Sequence, residues 1–233
     1  MRRRLLVVVV LAAGWLSSMA AGPRPSEGPP PARLDVPVVL VPGWFDTARD
    51  LAALKIRLLG AGAAHVETLT FQEPTGSNRE HAQEIDSLVS QVLRESGADQ
   101  VDIVAHSMGG LATRWYLKTR PEAPVRRTVF IASPHHGTYT ALVAWGEGRD
   151  EMMPDSEFLA SLNSGAPLPE GIEAMTIRTP IDTHVLPGES ATLPGVEDHT
   201  VCCPTHQGLL RSDDVFYLVI DFLERTGPPA EPR

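Results

Sequence analysis

The chain has 233 residues, enough for one α/β domain around a single core but too few for two full domains. Hydrophobic residues make up 42% of the sequence and charged residues 21%, a balance typical of soluble globular proteins and unlike that of disordered chains. The formal net charge of −9 disfavours binding to nucleic acid or to anionic membranes, so we expect no nucleic-acid partner.

The first 20 residues have the pattern of a secretory signal peptide. Arginines occupy positions 2–4, an apolar run covers 5–16, and the small residues Ser18 and Ala20 fit a cleavage site after Ala20. An uncleaved membrane anchor is the alternative, but Gly14 and two serines weaken that interpretation. We therefore expect a secreted protein without stable membrane insertion, which carries 17 basic and 29 acidic residues and a net charge of −12.

Strand and helix patterns alternate along the rest of the chain, after a proline-rich segment at 21–33 that is typical of a flexible linker. Apolar runs predict strands at 36–41, 65–69, 101–105, 125–132, 174–178 and 200–202. Apolar residues at helical spacing predict helices at 47–59, 78–96, 108–118, 156–162 and 213–224. This order predicts one domain over 34–226 with a mostly parallel sheet and helices on both faces, and a frayed tail at 227–233.

Ser107 lies between the strand at 101–105 and the helix at 108–118. A sharp strand-to-helix turn raises a serine hydroxyl above the sheet and places it beside helix N–H groups that stabilise an oxyanion. Ala105 and Gly109 are the small neighbours that such a strained turn tolerates. A serine N-cap on an ordinary helix is the alternative, but the glycines after Met108 weaken a helix start. Ser107 is therefore the candidate nucleophile.

Four segments, VVLVPGW, VAHSMGG, ASPHHGT and THQGLL, occur in this order. They resemble the small secreted bacterial triacylglycerol lipases, an α/β-hydrolase family in which alanine often replaces the first glycine of the nucleophile segment. The resemblance spans roughly residues 36–222. It implies a minimal α/β-hydrolase fold, carboxylic esters of lipids or shorter acyl alcohols as substrates, and no metal or organic cofactor.

The oxyanion would be held by two backbone N–H groups. Met108 follows the nucleophile and supplies one of them. The second comes from the loop after the first strand, where Pro42-Gly43-Trp44 occupies the place of the family's His-Gly and apolar residue. The resemblance implies Trp44 as that donor, with Phe45 as the alternative; a plain strand-exit turn is the other interpretation.

The general base is sought among the histidines that follow the nucleophile and the acid, the order expected on this fold. His206 lies beyond the last predicted strand and before the final helix, and the next residues resemble the family's His-x-Gly-Leu run. His199 is predicted to precede the strand, and His184 is too close to the acid candidate. His106 is expected to flank Ser107 without reaching its hydroxyl. His135 and His136 are interpreted as residues that shape a loop or the pocket edge.

Asp182 is the candidate acid because it follows the strand at 174–178, at the carboxyl end of the sheet. Its segment also resembles the family's Asp-x-x-Val. Glu197 and Asp198 are the alternatives, predicted to lie just before a strand. A solvated surface acid is the other interpretation of each of the three.

The predicted cleft is open and apolar, because no long amphipathic segment between 143 and 169 is suited to a large lid. The residues able to line it are Trp44, Phe45, Met108, Trp145, Met152, Met153 and Leu186.

Cys202 and Cys203 are neighbours that form a vicinal disulfide, pair between chains or stay buried as thiols. We expect a monomeric esterase or lidless lipase acting on a lipid or small acyl ester. An acyltransferase or thioesterase, or a catalytically silent binding protein, is the alternative.

Overall fold

The computed structural model describes residues 34–225, so the predicted signal peptide, linker and tail lie outside the described residues. The strands are β1 Val38–Val41, β2 Val66–Thr68, β3 Val101–His106, β4 Val125–Ile131, β5 Glu173–Arg178 and β6 Glu197–Thr200. The helices are α1 Ala52–Gly60, α2 Asn78–Ser96, α3 Gly109–Thr119, α4 Glu147–Met152, α5 Glu157–Leu162 and α6 Asp213–Glu224. Short 3₁₀ helices cover Tyr139–Val143, Gly188–Ala191 and Gln207–Arg211.

The six strands form one parallel sheet in the order β2-β1-β3-β4-β5-β6. The carboxyl ends of parallel strands meet at one edge of a sheet, where ligands bind in open α/β folds. The loops after β1, β3, β5 and β6 therefore meet at one edge. The predicted parallel α/β sheet is confirmed.

The core lies on both faces of this sheet, and β1 shows why its four residues are all apolar. Val38 and Leu40 point to one face and pack in the cluster that contains residues of α1 and α6. Val39 and Val41 point to the other face and pack in the cluster with residues of α2 and α3. A strand covered by helices on both sides must be apolar at every position rather than at alternate ones.

Two predicted elements begin or end more than two residues from their observed bounds. Helix α1 begins at Ala52, not at position 47, because Thr47 and Asp50 form a local turn through side-chain and backbone hydrogen bonds. The last strand covers Glu197–Thr200 rather than 200–202, so Glu197, Asp198 and His199 lie within the strand and not before it. The strand is at the edge of the sheet and mostly exposed, and it therefore lacks the apolar alternation that marks a half-buried strand.

The segment between 143 and 169 contains two short helices and no large lid. Helix α4 was not predicted. Phe158, Leu159 and Leu162 of α5 are buried in a third cluster against Met108 and Leu111, so this segment is part of the packed structure. Within residues 34–225, no helix is both long and apolar enough to cross a membrane.

Candidate active site

Ser107 occupies a strained turn between β3 and α3. Its φ of +52° lies in the left-handed region, which a residue with a Cβ rarely adopts, and its N–H donates to the Ile131 carbonyl at 2.8 Å. The turn is tight enough to require glycine at position 109, because a Cβ there would lie 2.2 Å from the Pro42 carbonyl oxygen. The backbone therefore has the geometry expected of a nucleophile elbow at the carboxyl edge of the sheet.

His206 lies in the loop between β6 and α6, immediately before the last 3₁₀ helix. It is 2% exposed, and its Nδ1 lies 2.8 Å from Oδ2 of Asp182. An ionised carboxylate only accepts hydrogen bonds, so Nδ1 carries the proton and Nε2 keeps its lone pair. Burial lowers the pKa of His206 below its ordinary value, although Asp182 opposes this effect. His206 is therefore neutral at neutral pH and able to accept a proton.

Asp182 follows β5 and is held by backbone amides as well as by the imidazole. Its Oδ1 accepts hydrogen bonds from the N–H groups of His184 and Val185, at 2.7 and 3.0 Å. Burial alone would raise the pKa of Asp182, but the bonds from His206 and from the two amides outweigh it and hold the pKa below its ordinary value. The aspartate is thus a fixed anion beneath the imidazole.

Ser107 and His206 both line one cavity of about 490 Å³ at this edge of the sheet. The aromatic part of its wall consists of Trp44, Phe45 and Trp145, with the Trp44 and Trp145 ring centroids 4.7 Å apart. Met152 also lines the cavity. The remaining lining is Asp46, Pro134, Thr138, Thr140, Ala141, Val143, Ala144, Thr183, His184, Val185 and Gln207.

The predicted cleft lining is thus right for four residues and wrong for three. Met108 is fully buried and packs with α5, so its side chain cannot reach the cavity. Met153 packs against the same cluster, and Leu186 does not line the cavity. The spacing of apolar residues shows which are available, but only the folded loops decide which of them face the cavity.

The predicted oxyanion donors are the backbone N–H groups of Trp44 and Met108. Among residues 34–225, no group accepts from the N–H of Trp44 or of Met108. The Phe45 N–H, the alternative donor, is occupied because it donates to the Pro74 carbonyl oxygen at 3.1 Å. The geometry therefore favours Trp44 over Phe45.

The alternative acids and bases are engaged elsewhere. Asp198 receives hydrogen bonds from Arg178 and Thr176, and His199 lies 2.6 Å from Glu197, all at the β6 edge. His135 is completely buried against Phe130, so it shapes the interior beneath its loop and does not line the cavity.

His184 has a place that the sequence did not predict. Its ring stacks on that of His206 with centroids 4.7 Å apart. Asp182, His184 and His206 form the one cluster in the described part of the chain with potential metal-ligand atoms within 4.8 Å of one another. The two rings are nearly parallel, at 22°, so their in-plane lone pairs do not converge on one point as metal coordination requires. The predicted absence of a cofactor stays a prediction.

Asp46 is the functional candidate that sequence reasoning missed. It lies two residues after Trp44, lines the cavity, and binds both His106 and Gln207. His106 was expected to flank Ser107, and its Nδ1 in fact lies 2.9 Å from Oδ2 of Asp46. An acidic residue close behind the predicted oxyanion donor was the available signal.

Cys202 and Cys203 form a vicinal disulfide in the loop that leads from β6 to His206. Of the three predicted states, this is the one in the structure. Both cysteines are exposed, so neither is a buried thiol.

Comparison with known proteins gives one family-model match, described as "Alpha/beta hydrolase family", over residues 38–226. A triacylglycerol lipase of Burkholderia plantarii is 28% identical in an alignment of 146 residues, which covers 57% of this chain and 39% of that protein. The chain thus matches about two fifths of the length of that curated relative.

Solved structures show the same fold. Aspergillus fumigatus lipase B superposes with a TM-score of 0.74 and 24% identity, over 83% of this chain and 53% of that chain. The mature form of Bacillus licheniformis lipase BlEst2 gives a TM-score of 0.69 with 14% identity, over 87% of this chain and 96% of that chain.

Proposed function

The chain belongs to the alpha/beta hydrolase family, and from this membership and the site geometry we propose that it is a secreted serine hydrolase of carboxylic esters. The observation that carries the proposal is the buried 2.8 Å contact between His206 and Asp182 on the cavity that Ser107 also lines. A neutral imidazole oriented by a carboxylate, in the same cavity as a serine on a strained turn, supports an alcohol made nucleophilic by a general base.

The reaction is a two-step acyl transfer. Nε2 of His206 takes the proton of the Ser107 hydroxyl while Oγ attacks the ester carbonyl carbon, and the N–H groups of Met108 and Trp44 stabilise the resulting oxyanion. The tetrahedral intermediate collapses, the ester C–O bond breaks, and the leaving alcohol takes the proton from His206. Water then attacks the acyl-enzyme by the same proton route, which releases the acid and restores Ser107.

Asp182 orients the base and stabilises its charged form. The hydrogen bond to Nδ1 fixes the tautomer in which Nε2 is free to accept the serine proton. When His206 becomes an imidazolium, the Asp182 anion lies 2.8 Å away and stabilises the positive charge. Because backbone amides hold the other carboxylate oxygen, this orientation is set before substrate arrives.

The cavity supports an ester with an apolar acyl group as substrate. Val143 and Trp145 line the cavity and are 85% and 57% exposed, and Leu142, the chain neighbour of Val143, is 59% exposed, so apolar surface reaches from the cavity to solvent. A net negative protein gains nothing by charge from anionic lipid, so contact with lipid must come from such apolar surface. The name of the Burkholderia relative, a triacylglycerol lipase, also supports acyl esters as substrates.

The test of the reaction is Ser107→Ala. We expect this variant to lose hydrolysis of p-nitrophenyl esters while its circular dichroism stays that of the wild type, because the side chain is small and the turn is formed by the backbone. Turnover in the variant at the wild-type rate would reject Ser107 as nucleophile.

Esters of increasing chain length, measured below and above their solubility, test the interpretation that the enzyme has no lid. A sharp rise in rate at the interface would contradict it.

Secretion is proposed from the pattern of residues 1–20. Expression in a secreting host and N-terminal sequencing of the protein in the medium test it. The expected first residue is Ala21 or a near neighbour, and an intact N-terminus on cell-bound protein would contradict cleavage.

A further inference from the structure

One carboxylate, that of Asp46, bonds to three separate segments of the site. Asp46 is 7% exposed and lies on the loop after β1. Its Oδ2 accepts from the Gly43 N–H at 3.3 Å and from Nδ1 of His106 at 2.9 Å. Its Oδ1 accepts from Nε2 of Gln207 at 2.8 Å. The three partners belong to the loop with the proposed oxyanion donor, the nucleophile turn and the base loop.

The first bond closes the turn that contains Trp44. The Asp46 N–H donates to the Gly43 carbonyl at 3.2 Å, while the Asp46 side chain accepts from the Gly43 N–H, so the turn at 43–46 is tied in both directions. Phe45 within it has a φ of +62°, a conformation that costs a non-glycine residue free energy and persists only where contacts hold it. Release of Asp46 would therefore loosen the turn and misdirect the Trp44 N–H.

This turn lies against the nucleophile itself. A Cβ at Gly43 would be 2.8 Å from Cβ of Ser107 and 2.9 Å from the Asp46 carboxylate, so a side chain has no room between them. A shift of the loop by a few tenths of an ångström would consequently change the distance between the proposed oxyanion donor and the serine. Catalytic hydrogen bonds to an oxyanion are sensitive to displacements of this size.

The second bond fixes the residue before the nucleophile. His106 is completely buried, and within the part of the chain that the structure describes its Nε2 has no hydrogen-bond partner. The bond to Asp46 is thus the polar contact that sets the orientation of its ring. That ring lies 4.7 Å from the His206 ring, so its orientation also limits where the base can sit.

The third bond reaches the base loop, because Gln207 directly follows His206 in the chain and both line the cavity. We propose that Asp46 is a positioning residue. Its one carboxylate fixes the relative positions of three segments: the turn at 43–46 with the proposed oxyanion donor, the nucleophile turn at 106–108 and the base loop at 206–207. This inference rests on the proposed function, since it assigns Asp46 a part in the same reaction.

The charge of Asp46 suits this task. Burial by itself would raise its pKa, but the hydrogen bonds from His106, Gln207 and Gly43 outweigh that effect and hold the pKa below the ordinary value. An ionised carboxylate accepts all three bonds, whereas an asparagine puts an NH₂ group at one of the two oxygen positions. With its oxygen at the Oδ2 position, the contact with Gln207 survives only if that amide turns to present its own oxygen; in the other orientation the bonds from Gly43 and His106 are lost. The substitution Asp46→Asn therefore removes the charge and disturbs the bonding pattern with little change in shape.

The experiment compares Asp46→Asn with Asp50→Asn. Asp50 lies on the same loop and accepts from the N–H and hydroxyl of Thr47, so it supplies the same loss of charge without reaching the other two segments. We expect Asp46→Asn to lower kcat about tenfold to a hundredfold, less than the loss of an oxyanion donor, with KM changed by no more than about threefold. We expect Asp50→Asn to stay within about twofold of the wild type.

Phenylboronic acid separates positioning from a merely structural role. Its tetrahedral adduct with a serine mimics the transition state, so its affinity follows the quality of the oxyanion site. We expect its affinity to fall in proportion to kcat in Asp46→Asn. An unchanged kcat and boronate affinity, or a change confined to the melting temperature, would overturn the inference.

Two further variants keep the result interpretable. Gln207→Met removes only the bond between Gln207 and Asp46, so it tests the inference even if Asp46→Asn does not fold. We expect kcat to fall about threefold to tenfold. Wild-type kcat in this variant would overturn the inference. Ser107→Ala is measured in parallel. Loss of activity in Ser107→Ala with normal activity in Asp46→Asn overturns the role of Asp46 alone, whereas activity retained in Ser107→Ala overturns the proposed function.

Discussion

The substitution Asp182→Asn tests how the base is oriented, and its effect follows from the hydrogen bonds of the aspartate. Oδ1 accepts from two backbone N–H groups, and Oδ2 accepts from His206. An asparagine keeps the two amide bonds only if its oxygen takes the Oδ1 position, and its NH₂ group then faces Nδ1 of His206. The imidazole must turn into an acceptor at Nδ1, which places its proton on Nε2, where the serine proton has to go.

The asparagine has a second orientation, in which its oxygen faces His206 and its NH₂ group lies at the Oδ1 position, but this orientation is unfavourable. It would give up two backbone hydrogen bonds at about 1 kcal/mol each, so the conformer that supports the correct tautomer is disfavoured by about 2 kcal/mol, or roughly thirtyfold. Loss of the negative charge beside the imidazolium adds to this. We expect a total loss in kcat of about 10³- to 10⁴-fold, equivalent to about 4 to 5.4 kcal/mol.

The assay is steady-state hydrolysis of p-nitrophenyl butyrate, with circular dichroism to check the fold. Asp198→Asn is the matched control, because Asp198 was an alternative acid and its bonds to Arg178 and Thr176 lie at the β6 edge. We expect Asp198→Asn to keep wild-type kcat. A kcat within tenfold of the wild type in Asp182→Asn, or a large loss in Asp198→Asn, would refute this reasoning.

Three further outcomes are expected. His206 must be neutral to act, and burial lowers its pKa. We therefore expect kcat/KM to stay constant as the pH falls to the ordinary histidine pKa of about 6.5, and to decrease only at lower pH. A pH–rate profile in which kcat/KM already decreases above pH 6.5 would contradict this. Gly109→Ala should lower the free energy of unfolding by about 1 to 3 kcal/mol in thermal unfolding, because its Cβ would lie 2.2 Å from the Pro42 oxygen. Gly60→Ala in α1 should be neutral or slightly stabilising, because the space around it is open. Equal destabilisation by the two would be evidence against the close approach. Trp145→Ala should raise KM for longer acyl esters more than for acetate, and equal changes across a chain-length series would remove Trp145 from the acyl site.

Local patterns made much of the fold predictable. The four apolar residues of β1 required a central strand covered on both faces, and helix α2 has the predicted bounds Asn78–Ser96, with Ser77 as its N-cap and Gly97 after its end. The edge strand β6 was placed too late because its exposed residues have no apolar pattern. Such errors arise in exposed elements, because their residues do not pack in the core and therefore show no apolar periodicity.

The candidate site was predictable where chain order restricts the choice. The sequence selected Asp182 and His206 by their place after the last strands, and the structure puts them 2.8 Å apart. Asp46 was missed because its partners His106 and Gln207 are 60 and 161 residues away in the chain. The acidic residue close behind Trp44 is a local signal, but its bonds to residues so distant in the chain are visible only in the folded structure.

The most direct test of the central claim is to find which side chain forms the covalent intermediate. The mature protein is treated with a fluorophosphonate, digested and analysed by peptide mass spectrometry, with the denatured protein as control. We expect one phosphonyl group per folded molecule, on Ser107, and none after denaturation. A modification on another residue, or no modification of an enzyme that hydrolyses esters, would contradict the account.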